Sequence, residues 1–485
     1  VRSPTGVEPR TVRAFGDPAA DGHVVTGDHW IDVPLDHATS DGPRIAVYAR
    51  EVRRADAVEA DLPYLLFLQG GPGGRAPLPG VDGPGWLPWA LDRFRVLLLD
   101  QRGTGRSTPQ DRRTLARLTP REQADRLVHF RADAIVADAE ALRRRLLGDI
   151  PWTVLGQSFG GFCTWTYLSF APDGLAAAYV TGGVPPVGRS AEDVYRATHR
   201  ALDRRVAVLD RAHPRVRAVL ADVAVHLARH SEYLPTGERL TPRRLQEVGT
   251  VLGGAGGVDR LAHLADDAWA MPGRLSDSFL ATVADLVSYA RNPLYALVHE
   301  AIYADAGTAT RWAAQRVRDD LGVAAEGVRD ADGVVRLPLT GEMVYPHTVS
   351  RDPALTPLAE SAHLLAERVW DRPLYDVARL ASSTVPVAAC LYTHDMFVDP
   401  DLSRATAEAT GGVRLVEDDV HHHDGLRRSG AVVLGRLEAA LDGRTAVPAG
   451  ALLPAGDRIP TGDRIPTGDG IPTPAAGTTL AAVGE

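Results

Sequence analysis

Trp152-Thr153-Val154-Leu155-Gly156-Gln157-Ser158-Phe159-Gly160-Gly161 is the stretch on which the reading of this chain turns. Trp152 to Leu155 is a short, mostly apolar run of the kind that forms a buried strand. Gly156 to Gly160 matches the pattern G-x-S-x-G, and the apolar, small-residue segment Gly161 to Phe170 follows as a helix candidate. A serine in that setting sits on a strained strand-to-helix turn, and the flanking glycines let neighbouring backbone come close. The bare pattern is common by chance, and its bland reading is a glycine-rich turn with a solvated serine. The surrounding motifs decide for Ser158 as a nucleophile.

Upstream, Gln69-Gly70-Gly71-Pro72-Gly73-Gly74 directly follows the apolar run Tyr64 to Leu68. In folds that use such a serine turn, the loop after an earlier strand supplies one oxyanion donor and the residue after the nucleophile supplies the other. The expected donors are therefore the backbone N–H groups of Gly71 and Phe159. Asp100-Gln101-Arg102-Gly103-Thr104-Gly105-Arg106-Ser107 follows the next apolar run, Arg95 to Leu99, and its Asp and Arg are expected to brace loops around the site. Downstream, the chain order Ser…Asp…His calls for an acid and a base. Val385 to Tyr392 runs into Thr393-His394-Asp395-Met396-Phe397-Val398-Asp399, which puts Asp395 at the strand end, with Asp399 as the fallback. The base lies in His421-His422-His423-Asp424-Gly425-Leu426, after the run Val413 to Val416. Adjacent histidines point different ways and no partner ligands stand at metal spacing, so a metal tract is not expected.

The wider chain suits this chemistry. It has 485 residues, with Asp+Glu 62 against Lys+Arg 53 and a formal charge of −9. Every basic residue is Arg, so no phosphate-loop lysine, Schiff-base lysine or Ser-Lys dyad exists. A mildly acidic chain without a basic run excludes a nucleic-acid or anionic-membrane partner. Cys163 and Cys390 stand outside any C-x-x-C pattern and read as free thiols. Val1 to Asp28 is polar, and no stretch approaches the about 20 apolar residues of a membrane span, so the expected location is cytoplasmic. Short apolar runs alternating with helices such as Ala132 to Leu147 indicate an α/β fold, a mostly parallel sheet with helices on both faces. Residues 186–375 read mostly as helices rich in Ala, Arg and Leu, a lid inserted after the sixth strand between core segments 1–185 and 376–447. The remainder, 448–485, repeats Gly456-Asp457-Arg458-Ile459-Pro460-Thr461 and reads as a disordered tail.

Taken together, Gln69–Gly74, Asp100–Ser107, Gly156–Gly161 and His423-Asp424-Gly425-Leu426-Arg427 resemble the prolyl aminopeptidase (proline iminopeptidase) family of α/β-hydrolases, over about residues 60–190 and 385–430. The resemblance implies a serine aminopeptidase that releases an N-terminal residue, most often proline, from short peptides with a free N-terminus, without metal or organic cofactor. It singles out His423 as the base, giving the triad Ser158, Asp395, His423. It also implies that glutamates of the lid bind the substrate's ammonium group. These are Glu300 in Asn292–Glu300 and Glu342 in Gly341–Pro346, a role that suits carboxylates at the blocked end of an exopeptidase cleft. Two departures stand out: Gln69 where the family usually has His, and Phe159 where many members have Trp. Neither removes a backbone donor, and both bear on pocket shape. The rivals are an esterase or amidase of the same fold, which has no use for lid carboxylates, and a non-catalytic binding protein, which would be expected to have lost a triad member.

Overall fold

The computed structural model describes residues 13–15, 24–39, 41–80, 83–330 and 332–444. The repeat tail expected over 448–485 lies outside them. The strands are β1 (Arg13–Phe15), β2 (Val24–Pro34), β3 (Arg44–Arg54), β4 (Tyr64–Leu68), β5 (Arg95–Asp100), β6 (Trp152–Gln157), β7 (Leu175–Thr181), β8 (Val387–Tyr392) and β9 (Val413–Asp418). They form one sheet in the order β1-β2-β3-β5-β4-β6-β7-β8-β9. From β5 through β4 to β9 every neighbouring pair is parallel, while β1, β2 and β3 add an antiparallel edge.

The apolar runs are continuous because both faces of the sheet are covered. Leu66, Leu68, Leu97, Leu99, Val154, Val180 and Ala389 point into one core. Their neighbours Leu65, Phe67, Val96, Leu98, Leu155, Tyr179 and Cys390 point into the other. Helices α1 (Ala132–Leu147) and α2 (Phe159–Phe170) cover the first face, and α3 (Gly425–Leu441) covers the second. This is the α/β-hydrolase architecture.

The inserted block falls between β7 and β8, after the seventh strand in chain order and not the sixth. The added strand is β1, three residues at the sheet edge with no alternation to announce it. The block has two parts with different cores. Helices from Ala191 to Val287 surround a separate apolar cluster that includes Leu202, Leu220, Leu252, Leu261 and Phe279. Residues 294–304 and 344–374 instead pack into the core above α1 and α2. Short strand pairs, Trp269–Met271 with Arg274–Leu275 and Val328–Arg329 with Val335–Arg336, interrupt the helices. Among the described residues no helix is long and apolar enough to cross a membrane.

The Asp100–Ser107 segment does brace loops. Arg102 has no exposed side-chain surface and pairs with both carboxylate oxygens of Asp138 on α1, at 2.7 and 2.6 Å. It also donates to the carbonyls of Leu35 and His129. Asp100 accepts the N–H groups of Ala76 and Arg106, which joins the glycine loop after β4 to the loop after β5. Removing one partner of a buried charge pair leaves the other uncompensated. Arg102→Ala should therefore destabilise the fold by about 3–5 kcal/mol, read from urea unfolding. A loss below about 1 kcal/mol, the range of an exposed pair, would show that the bonds do not hold these loops.

Candidate active site

Ser158 occupies the turn between β6 and α2, at the N-cap of the helix, with φ 55° and ψ −125°. A non-glycine residue in that region is strained and must be held by its surroundings. They hold it closely. A Cβ at Gly160 would fall 1.9 Å from the Leu68 carbonyl oxygen, so only glycine lets the first turn of α2 lie against the end of β4. Ser158 N–H donates to Thr181 on β7 at 3.0 Å, which fixes the turn from the other side.

The serine hydroxyl and His423 Nε2 are 2.9 Å apart, and His423 Nδ1 lies 2.7 Å from Asp395 Oδ2. The other oxygen of Asp395 accepts the N–H groups of Phe397 and Val398, so the carboxylate is fixed at both ends. Phe397 stands edge-on to the His423 ring at 5.0 Å. Burial alone would lower the basicity of His423. Asp395, its bond to Nδ1, Glu342 and Asp424 overcome that and hold the imidazole above its ordinary value. Asp399, the fallback acid, is occupied elsewhere: its carboxylate caps the helix Pro400–Glu408 through Asp401 and Leu402 N–H.

The three consecutive histidines separate into three tasks. His421 Nδ1 bonds Asp418 at 3.0 Å. His422 is buried, which with nearby Arg205 pushes its pKa down to about 3. His423 alone reaches the serine. Among the described residues no three His, Cys, Asp or Glu side chains gather at metal-binding distance. Asp418, which the sequence did not single out, secures the loop that carries His423. It accepts Val420 and His421 N–H, takes a bond from Arg436, and its carbonyl accepts Thr393 N–H two residues before Asp395.

Phe159 is the first residue of α2, so its N–H has no acceptor within the helix and lies at the positive end of the helix dipole. Gly71 has φ +140°, and a Cβ there would fall 2.9 Å from Gly73 N. Gln69 supports this loop: its side-chain amide spans Gly70 N–H and the Arg75 carbonyl, and Gln101 bonds its own carbonyl.

The two lid glutamates part company. Glu342 receives the Tyr295 hydroxyl at 2.5 Å and lines a cavity of about 250 Å³ with Tyr289, Asn292 and Tyr295. Burial raises its pKa, opposed by the Tyr295 hydrogen bond and by the charge of His423. Glu300 does not fit the amine-binding expectation. Its carboxylate accepts the N–H groups of Ala313 and Ala314 at 3.2 and 2.9 Å. Arg311 and Trp312, both at positive φ, bend the chain into an anion nest that this carboxylate fills. From α2 towards Glu342 runs a series of aromatic contacts: Phe159 with Phe162, Phe162 with Tyr303, Tyr303 with His299 and His299 with Tyr295.

Residues 63–274 match the model of the alpha/beta hydrolase fold family. A proline iminopeptidase of Aeromonas sobria is 46% identical over 413 residues, covering 84% of this chain and 95% of the relative. The proline iminopeptidase aneH of Aspergillus aculeatus is 32% identical, covering 86% of this chain and 94% of the relative. Among solved structures, an alpha/beta fold family hydrolase from Bacillus anthracis str. Sterne aligns with a TM-score of 0.38 at 13% identity, over 86% of this chain and 99% of that one.

The raised basicity of His423 has a sign that can be measured. A protonated imidazole cannot accept the serine proton, so kcat/KM should fall as pH drops through a midpoint above about 6.5, the ordinary histidine value. Glu342→Gln removes a charge that stabilises the imidazolium, and the midpoint should move to lower pH. A neutral ester substrate, with no amine of its own to titrate, gives the clean profile. An unmoved midpoint would show that His423 does not feel Glu342.

Proposed function

We infer that this chain, which belongs to the proline iminopeptidase family of α/β-hydrolases, is a serine aminopeptidase that removes an N-terminal proline from short peptides. The observation that carries the mechanism is the continuous path Ser158 Oγ, His423 Nε2, His423 Nδ1, Asp395 Oδ2. His423 takes the hydroxyl proton as Ser158 attacks the carbonyl of the first residue, and Asp395 steadies the imidazolium. The tetrahedral oxyanion is held by the N–H groups of Phe159 and Gly71. His423 then protonates the departing peptide amine, and water enters by the same route to release the amino acid.

Aminopeptidase specificity needs a group that rewards a free ammonium. Glu342 fills that role: a partly buried carboxylate, bonded by Tyr295, within the field of the triad. The aromatic series beside it suits an apolar ring such as that of proline. Residues 186–375 act as the lid that closes this end of the cleft, so that only a chain terminus enters. Cys163 and Cys390 are buried free thiols, which fits a reducing compartment, and we place the enzyme in the cytoplasm.

Two substitutions test the reading. Ser158→Ala should leave the fold intact and lower turnover by several orders of magnitude; retained turnover in a clean preparation would remove Ser158 from the mechanism. Glu342→Gln should reduce kcat/KM for a free prolyl amide by roughly tenfold or more, the loss of one charge-assisted hydrogen bond. A small neutral ester should be largely spared, since it uses the same serine and has no ammonium. Equal losses on both substrates would favour an esterase in which Glu342 is structural.

A further inference from the structure

The glycine loop after β4 is held from two sides, and the second side belongs to the inserted block. On the core side Gly70 lies against the nucleophile: a Cβ there would fall 2.9 Å from the Cβ of Ser158. On the other side Gly73, at φ +78°, lies against the start of the short helix Pro293–Val298. A Cβ at Gly73 would fall 2.8 Å from Asn292 Oδ1 and 2.9 Å from Tyr295 N. The Asn292 side chain serves both elements. Its oxygen accepts Tyr295 N–H at 3.2 Å and caps the helix, while its nitrogen donates to the Pro72 carbonyl in a long bond of 3.5 Å. Asn292 is itself fixed from behind. Its N–H donates to the Tyr289 carbonyl at 3.0 Å, and Tyr289 N–H donates to the buried Asp352 at 2.6 Å. Leu294 seats the same helix on the loop after β5, where a Cβ at Gly103 would meet its Cδ2 at 2.7 Å.

An oxyanion donor works only when its N–H lies about 2.7–3.1 Å from the developing charge. Gly71 belongs to a segment, residues 70–74, with glycine at four of its five positions. Glycine has the most conformational freedom to lose, so such a segment keeps one shape only where its neighbours hold it. The Ser158 turn, Gln69 and Gln101 hold it from the core. We propose that Asn292 is a positioning residue for the oxyanion hole: it bears on Pro72 and Gly73 from the lid and so sets the N–H of Gly71 against Ser158. The inference rests on Gly71 as an oxyanion donor and is independent of amine recognition by Glu342. It makes the hole a joint product of core and lid, complete only while the helix Pro293–Val298 is seated.

Two substitutions in the full-length enzyme separate positioning from mere support. Asn292→Asp keeps the helix cap, since Asp caps as well as Asn, and turns an oxygen towards the Pro72 carbonyl in place of the N–H. Asn292→Ser also keeps the cap and is too short to bear on the loop. Both should lower kcat about tenfold or more, on a prolyl amide and on a small neutral ester alike, with KM and the melting temperature nearly unchanged. An uncharged alkylboronic acid supplies the second readout. Its boron bonds to Ser158 Oγ while His423 takes the hydroxyl proton, which leaves a tetrahedral boronate anion that uses the same donors. Its inhibition constant should rise by a factor comparable to the fall in kcat. The proposal fails if kcat on the ester stays within about twofold of the unaltered enzyme, if KM rises while kcat holds, or if boronate inhibition is unchanged. A loss confined to the prolyl amide would assign Asn292 to the amine site and overturn the proposal as well. The ester has no ammonium, so its response to Asn292 is read separately from any failure of Glu342 to recognise an amine.

Discussion

Everything in this enzyme's chemistry depends on one close approach, the Cβ-less face of Gly160 against the carbonyl of Leu68. It brings the first turn of α2 down onto the end of β4. The residue before that helix then has to adopt a left-handed backbone, and that residue is Ser158. The same contact puts the N-terminus of α2 beside the glycine loop after β4, so that Ser158 and the N–H groups of Phe159 and Gly71 are set by one packing event. A methyl group at that position would displace helix and strand together.

Around that fixed point the other groups are carried by loops at the ends of parallel strands, each secured separately. Asp395 is clamped by Phe397 and Val398 N–H, and the His423 loop by Asp418 and Arg436. Asp418 joins these two loops through Thr393. The geometry of the Ser158–His423–Asp395 path is thus set by buried hydrogen bonds from the surrounding loops.

Much of this was legible in the residues because local pattern and global fold agree. The short apolar runs at 64–68, 95–99, 152–155 and 413–416, and 385–392 apart from its first two residues, lie in strands because their side chains alternate between two cores. Motifs at strand ends gave the loops. β2 was harder to read: Gly27, Asp28, His29 and Asp32 break its apolar pattern, which a strand near the sheet edge tolerates. The fate of Glu300 was not legible at all. It depends on Arg311 and Trp312 adopting positive φ, and neither residue type signals that conformation. Asp418 was equally silent, since a carboxylate at a strand end resembles any polar turn residue until the Arg436 side chain, eighteen positions later, folds back onto it.

Met396, the residue after Asp395, is buried in the apolar cluster of the Ala191–Val287 helices, and Phe397 rests against Gly253 of the same region while its ring meets His423. Ala255 N–H also reaches the carboxylate of Asp424, next to His423. The Ala191–Val287 helices are therefore tied into the loops after β8 and β9 rather than forming a separate module. Replacing these helices would remove the packing of Met396 and Phe397 and the Ala255 bond to Asp424, and so disturb the loops that carry Asp395 and His423.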